Sequence, residues 1–378
     1  MSANDEHNKI IDLLRHSVYI NMDSKSKRYF DDLARQIENW EELIRLAESN
    51  ALSNLVYGHL QACDIDIPEH HKLAFRALTA RHRRNNRERT TALLEILDLF
   101  EKNRIESVIL KGMSLIHTLY DEDSQRPMGD IDILVKGERA LEAQRALREI
   151  GYNASDRKSG YMYDHHHLPV ASKRLKGMQI QIEIHHNALS GDESDSMNYD
   201  QIEPNLIELE IDGRFTHSMG HADMLKHLCH HTFEPAEKIK LGAIADIYGY
   251  ATKYHAEINW NDVRSNHPRV INTLRCLHFL SPLPDSLNKI VTPPRIPPPD
   301  GVGFCFPPLS TIFIKSRSAT DKFQKIFNCS SWWLHIFYVV KPEKNIFITR
   351  YIRHPSKIIS WLTRRILAKI KSTLKRSV

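Results

Sequence analysis

Residues 105–135 read IESVILKGMSLIHTLYDEDSQRPMGDIDILV, and the order of patterns in that stretch decides the fold. IESVIL is a short apolar run of the kind that forms a buried strand, and it breaks at Lys111 and Gly112. MSLIHTLY then sets apolar residues at helical spacing, and DIDILV starts a second strand. Successive side chains of a strand point to opposite faces, so Asp130 and Asp132 share one face while Ile131 and Ile133 pack into the core behind them. Two carboxylates held side by side on a rigid element suit hard, oxygen-loving Mg²⁺ or Mn²⁺. Two such ions about 3.5–4 Å apart can bracket the attacking and leaving oxygens of an in-line phosphoryl displacement.

Working outward, ERALEAQRALREIGY reads as a helix that ends at Gly151, and MQIQIEIHHNAL alternates with the period of two of a strand. That alternation puts Gln181, Glu183 and His185 on one face and Ile180, Ile182 and Ile184 on the other, which makes Glu183 the natural third carboxylate. Lys111 and Gly112 sit at a strand-to-helix junction, where glycine permits close approach and the helix N-terminus offers N–H donors to phosphate. Arg126, four residues before Asp130, is placed to meet a triphosphate oxygen with its guanidinium fork. His167 and His185, on strands that flank the acids, are candidates for phosphate or acceptor contacts. Asp246, in IADIYGY, is either a polar residue at the edge of the cleft or the buried partner of a basic residue.

The succession ILKGMSLIHTLY, RPMGDIDILV, LREIGY, IEIHHNAL and LGAIADIYGY resembles the uncharacterised nucleotidyltransferase-like family of the polymerase-beta superfamily, over roughly residues 95 to 265. In that superfamily a Gly-Ser turn precedes an acidic pair on one strand, and a third acid comes from a later strand. The resemblance matches the turn to Lys111-Gly112 with Ser114 two residues on, the pair to Asp130 and Asp132, and the third acid to Glu183. It implies Mg²⁺ or Mn²⁺ held by Asp130, Asp132 and Glu183, an NTP substrate, and transfer of a nucleoside monophosphate to an acceptor hydroxyl. Lysine-glycine stands where glycine-serine is usual, so a second reading is a catalytically silent nucleotide-binding accessory or regulatory protein.

The expected architecture is therefore α+β: a small mixed-sheet core over 96–200, flanked by a helical N-terminal region (1–95) and a helical domain (201–280). Nine of the seventeen prolines lie between Pro282 and Pro308, which marks 281–320 as a proline-rich linker. Residues 321–378 hold thirteen Lys and Arg against two acids, in a chain whose net charge is only +5. KIISWLTRRILAKIKSTL gathers its apolar residues largely along one side of a helix, a pattern that fits either contact with an anionic membrane or docking on the acidic body of the chain. The Arg81–Arg89 run is read as the solvated face of a helix. No RNA-binding module is recognisable, so nucleic acid is not expected as a partner; a protein, a sugar or another small molecule is the expected acceptor.

Hydrophobic content of 41% with 26% charged residues excludes a disordered or fibrous chain. The five cysteines are scattered and never form CxxC, against a disulfide framework or a thiolate zinc site, so a reducing cytoplasm is expected. The polar N-terminus lacks the basic-then-apolar order of a secretory signal. His227 and His231 have the i, i+4 spacing of a helical zinc pair, but no HExxH accompanies them, and hydrogen-bonded or surface histidines are the plainer reading.

Overall fold

Isoleucines set the register of the sheet. The computed structural model describes residues 3–155, 165–189, 196–232, 240–295, 331–360 and 363. Strands β1 (Ser107–Ile109), β2 (Ile131–Val135), β3 (Asn153–Ala154), β4 (Ala171–Leu175), β5 (Met178–His185), β6 (Ile207–Ile211) and β7 (Arg214–Ser218) form one mixed sheet in the order β3-β4-β5-β2-β1-β7-β6. In β5, Ile180, Ile182 and Ile184 are fully buried while Gln179 and Gln181 are exposed, as the period of two requires. The neighbouring β2 runs parallel to β5, pairing Ile131 with Ile182, Asp132 with Glu183 and Ile133 with Ile184. The result is the α+β architecture expected from the sequence.

Two compact units divide the chain. The first holds residues 1–156, 166–228 and 240–258, and so the whole sheet. Its N-terminal helices are α1 (Ala3–His16), α2 (Ser24–Ala34), α3 (Trp40–Ser49), α4 (Ser53–Ala62) and the long α5 (Glu69–Lys102). Asp23 and Asn39 start α2 and α3 by accepting hydrogen bonds from the backbone N–H groups of Ser26 and Glu42. Leu13, Leu14, Phe30, Leu43 and Val56 then bury one side of this helical layer. Helix α5 runs past residue 95 and packs, with α7 (Ala140–Ala146), against β5, while α6 (Lys111–Thr118) packs against β2 and β6. Gly151, at φ +86°, ends the turn that follows α7. Helices α8 (His221–Thr232) and α9 (Leu241–Lys253) come after the sheet.

The sheet is larger than the sequence reading of 96–200 allows. Strands β6 and β7 lie within the stretch read as helical, joined at Asp212 and Gly213, both at positive φ. This two-residue turn matches the right-handed twist of the flanking strands.

The second unit holds residues 157–165, 229–239 and 259–378. Its described helices include Trp260–Asn266, Pro268–Leu277, Asp285–Val291 and Ser331–Phe337. Asn272 donates to the carbonyls of His335 and Val340, and Leu334, Tyr338 and Ile346 form a small buried cluster. The proline-rich stretch beyond 295 and nearly all of the amphipathic segment from 361 lie outside the described residues. No described helix is long and apolar enough to cross a membrane.

Candidate active site

The site is built where β1 turns into α6 and where β2 lies beside β5. Leu110 ends β1 in an extended conformation, its N–H donating to the Asp132 carbonyl at 3.1 Å, and Lys111 then takes φ +35° to open α6. That left-handed value costs a non-glycine residue roughly 1 kcal/mol, and it aims the lysine at the acids: Nζ lies 3.5 Å from Asp132 Oδ1. Gly112 lies tight against two side-chain ends. A Cβ there would come within 2.7 Å of both Arg126 Nη1 and Met128 Sδ.

The parallel register puts Asp132 and Glu183 side by side on one face. Asp132 is 4% exposed, and His185, fully buried, donates from Nε2 to Asp132 Oδ1 at 2.8 Å and lies 3.5 Å from Glu183 Oε2. Burial alone would lower the His185 pKa, yet its hydrogen bonds to Asp132 and Glu183 raise it. Among the described residues, Asp132, Glu183 and His185 are the group whose ligand atoms converge to within 4.8 Å of one another, close enough to share one ion. Two carboxylate oxygens and an imidazole nitrogen fit a divalent cation, and Lys111 supplies positive charge beside Asp132. The His227–His231 pair belongs to no such group among the described residues, and burial pushes the neighbouring Cys229 thiol well up, as befits a core residue.

Asp130 precedes β2 by one residue and stands outside the converging group. Burial, with the charges of Asp132 and Glu183, pushes its carboxyl up to about 6, against the opposing pull of Lys111 and Arg126. Arg126 is held by Asp246, with Nε donating to Oδ1 at 2.9 Å and Nη2 to Oδ2 at 2.8 Å. Tyr120 donates to the same carboxylate at 2.6 Å. Asp246 is thus the buried partner of a basic residue, the second of the two roles its sequence context left open. Ser114 is buried, and its hydroxyl bonds the Ser218 hydroxyl of β7 at 2.6 Å. His167 lies on the other side of β5 from Asp132, paired to His185, with Nε2 3.9 Å from Glu183 Oε2.

Sequence reasoning missed a clasp on the segment that delivers the acids. Asn86 donates to the carbonyls of Asp123 and Arg126, Arg89 to that of Gly129 at 3.0 Å, and Asn54 to that of Ser124. Arg89 is only 6% exposed and lies close enough to Asp130 to feel its charge, so it is no solvated member of a basic run. The other four arginines of that run pair elsewhere, Arg81 with Glu48, Arg83 with Glu122, Arg84 with the Lys176 carbonyl and Arg87 with Asp123.

The mixed sheet thus sets two carboxylates abreast on parallel strands, beside a basic strand-to-helix turn. The chain belongs to the uncharacterised nucleotidyltransferase family, whose model matches residues 36–281. No curated protein matches the chain. Similar solved structures include the antibiotic-resistance factor ANT(2'')-Ia in solution (16% identity, 46% of this chain and 87% of that one, TM-score 0.33). A crystal structure of ANT(2'')-Ia with adenylyl-2''-tobramycin gives 16% identity, 44% and 90% coverage, and a TM-score of 0.33. An antigenic nucleotidyltransferase-like protein from Paracoccidioides brasiliensis gives 13% identity, 54% and 92% coverage, and a TM-score of 0.37.

Proposed function

We propose that this chain transfers a nucleoside monophosphate from an NTP to the hydroxyl of an acceptor, a protein, a sugar or another small molecule, with Mg²⁺ or Mn²⁺ as cofactor. The observation that carries the reading is the in-register pair of Asp132 and Glu183 facing Lys111 in a member of a nucleotidyltransferase family. Asp132 and Glu183 would hold the metal, with Asp130 one residue before β2 close enough to feel both charges. When bound, a divalent ion polarises the transferring phosphoryl group and offsets charge on the leaving oxygen. Lys111 neutralises the triphosphate, and Gly112 lets it approach the start of α6, with Arg126 Nη1 directly beside that glycine. The acceptor oxygen bonds to the α-phosphorus as the bond to the bridging oxygen of the β-phosphate breaks. Pyrophosphate leaves, and the hydroxyl proton passes to a Glu183 oxygen.

A second reading, NTP binding without turnover, draws on the commitment of Arg126 to Asp246 and of Lys111 to Asp132. One assay separates the two: labelled ATP, CTP, GTP and UTP with Mg²⁺ or Mn²⁺, and cell extract as the source of acceptors. Pyrophosphate release that is lost in Asp132→Asn supports transfer. Saturable metal-dependent NTP binding with no release supports the silent protein.

The chain works in the cytoplasm, with its basic C-terminal region touching anionic membrane. Supporting this, Phe347, Ile348, Tyr351, Ile352 and Ile359 are each more than half exposed, among Lys344, Arg350, Arg353 and Lys357. Flotation with anionic vesicles tests it: binding at low salt that fades at high salt and vanishes on deleting 321–378 is expected, and no binding at low salt overturns it.

A further inference from the structure

Helix α9 supplies none of the acids, yet it grips the segment that leads into them. Asp246 is 3% exposed; its Oδ1 accepts from the Tyr120 hydroxyl at 2.6 Å and from Arg126 Nε at 2.9 Å, and its Oδ2 from Arg126 Nη2 at 2.8 Å. The C-terminal end of the same helix is fastened to the end of α6, where the Thr118 carbonyl accepts from Lys253 Nζ and from the Tyr254 hydroxyl, both at 2.7 Å. Arg126 is held at its main chain too, its carbonyl accepting from Asn86 at 2.9 Å. Backbone and guanidinium are therefore both fixed relative to α6.

The ion pair is made side-on. Nε and Nη2 face Asp246, and the third nitrogen, Nη1, makes no hydrogen bond among the described residues. A guanidinium is a planar fork of five N–H groups, so a carboxylate on its Nε–Nη2 edge leaves the Nη1–Nη2 edge as a second bidentate face. Nη1 stands at the start of α6, 2.7 Å from the place a Cβ of Gly112 would take, and next to Lys111 in sequence. Planar paired donors match the oxygens of a phosphate. A long side chain that must be ordered on binding weakens affinity, whereas one already clamped by a buried carboxylate has little freedom left to lose.

We propose that Asp246 is a positioning residue for the triphosphate: it orients Arg126 so that the Nη1–Nη2 edge meets phosphate oxygens at the start of α6. Helix α9 thereby takes part in nucleotide recognition without touching the nucleotide. This rests on the NTP binding proposed above, with or without turnover.

The probe is inorganic tripolyphosphate with Mg²⁺, the part that every NTP shares, titrated calorimetrically into the full-length protein beside Mn²⁺ alone. Asp246→Asn keeps the shape, and it should weaken tripolyphosphate binding at least about tenfold while Mn²⁺ affinity stays within about twofold. Chemical rescue separates orientation from packing. Guanidinium ion at a low, non-denaturing concentration should restore tripolyphosphate binding to Arg126→Ala and fail to do so in Arg126→Ala/Asp246→Asn, because the carboxylate is what seats the added cation. Parent-like binding by Asp246→Asn, an equal fall in its Mn²⁺ affinity, or rescue indifferent to Asp246 overturns the proposal and leaves nucleotide binding standing. A parent protein that binds an NTP but not tripolyphosphate overturns it as well, and one that binds neither overturns the NTP reading with it. If these variants fail to fold, Asp246→Glu decides: it keeps the ion pair but displaces the guanidinium, so tripolyphosphate affinity should still fall several-fold, and parent-like affinity overturns the proposal.

Discussion

At the scale of single residues, Asp132 carries the most. It pairs in register with Glu183, accepts from His185 and lies beside Lys111. Asp132→Asn keeps the shape and removes the charge, so Mn²⁺ binding by calorimetry and NTP turnover should both fall at least about a hundredfold while circular dichroism stays unchanged. The neighbouring pair responds differently. Asp246→Ala leaves the Arg126 guanidinium in a largely buried place without its carboxylate, and Tyr120 without its acceptor. Breaking such a pair from one side costs about 3–5 kcal/mol, so thermal unfolding should show a large loss of stability. An unchanged melting temperature would mean that the pair is not formed in solution.

At the scale of elements, the site depends on a helix far from it in sequence. Residues 123–130 have little regular structure, and their carbonyls are taken up by Asn86 and Arg89 of α5 and Asn54 of α4. Asn86→Ala leaves two of those carbonyls without their donor and should cost about 1–3 kcal/mol in urea unfolding, together with weaker Mn²⁺ binding. A loss of stability with metal affinity intact would confine the clasp to a structural role. The alternation of MQIQIEIH and the β1-α6-β2 succession were legible because burial there follows a simple period. Strands β6 and β7 carried an equally plain signal, IELEIDGRFTHS with Asp-Gly between two alternating runs, but the helical spacing around them masked it. Arg89 was illegible for another reason: its burial comes from a loop that folds back onto α5, and no periodicity within the helix encodes that contact. The choice of His185 over Asp130 as the residue converging with Asp132 and Glu183 likewise depends on β2 beginning at Ile131.

At the scale of the whole molecule, two buried groups oppose each other in acid. Burial lowers the pKa of His59 to about 4. The unfolded chain therefore binds more protons there, and stability that is full above about 6.5 is lost as pH falls toward 4, a change of up to about 3 kcal/mol. Asp130 works in the other direction: its carboxyl is pushed up to about 6, so its contribution is full below about 3.8 and is lost as pH rises through 6. Asp130→Asn removes the opposing contribution, so its unfolding free energy should climb more steeply between pH 4 and 6.5 than that of the parent, as urea titrations at stepped pH would read. Equal slopes would show that Asp130 ionises normally. The parallel pairing of β2 with β5 has a kinetic consequence as well. Asp132 and His185 are 53 residues apart in sequence, and a parallel ladder closes only after the intervening chain has been ordered. Metal affinity should then be absent from any early collapsed species. In stopped-flow refolding, withdrawal of Mn²⁺ from an indicator dye should develop only with the slowest native phase, which would make the ion a reporter of completed strand pairing.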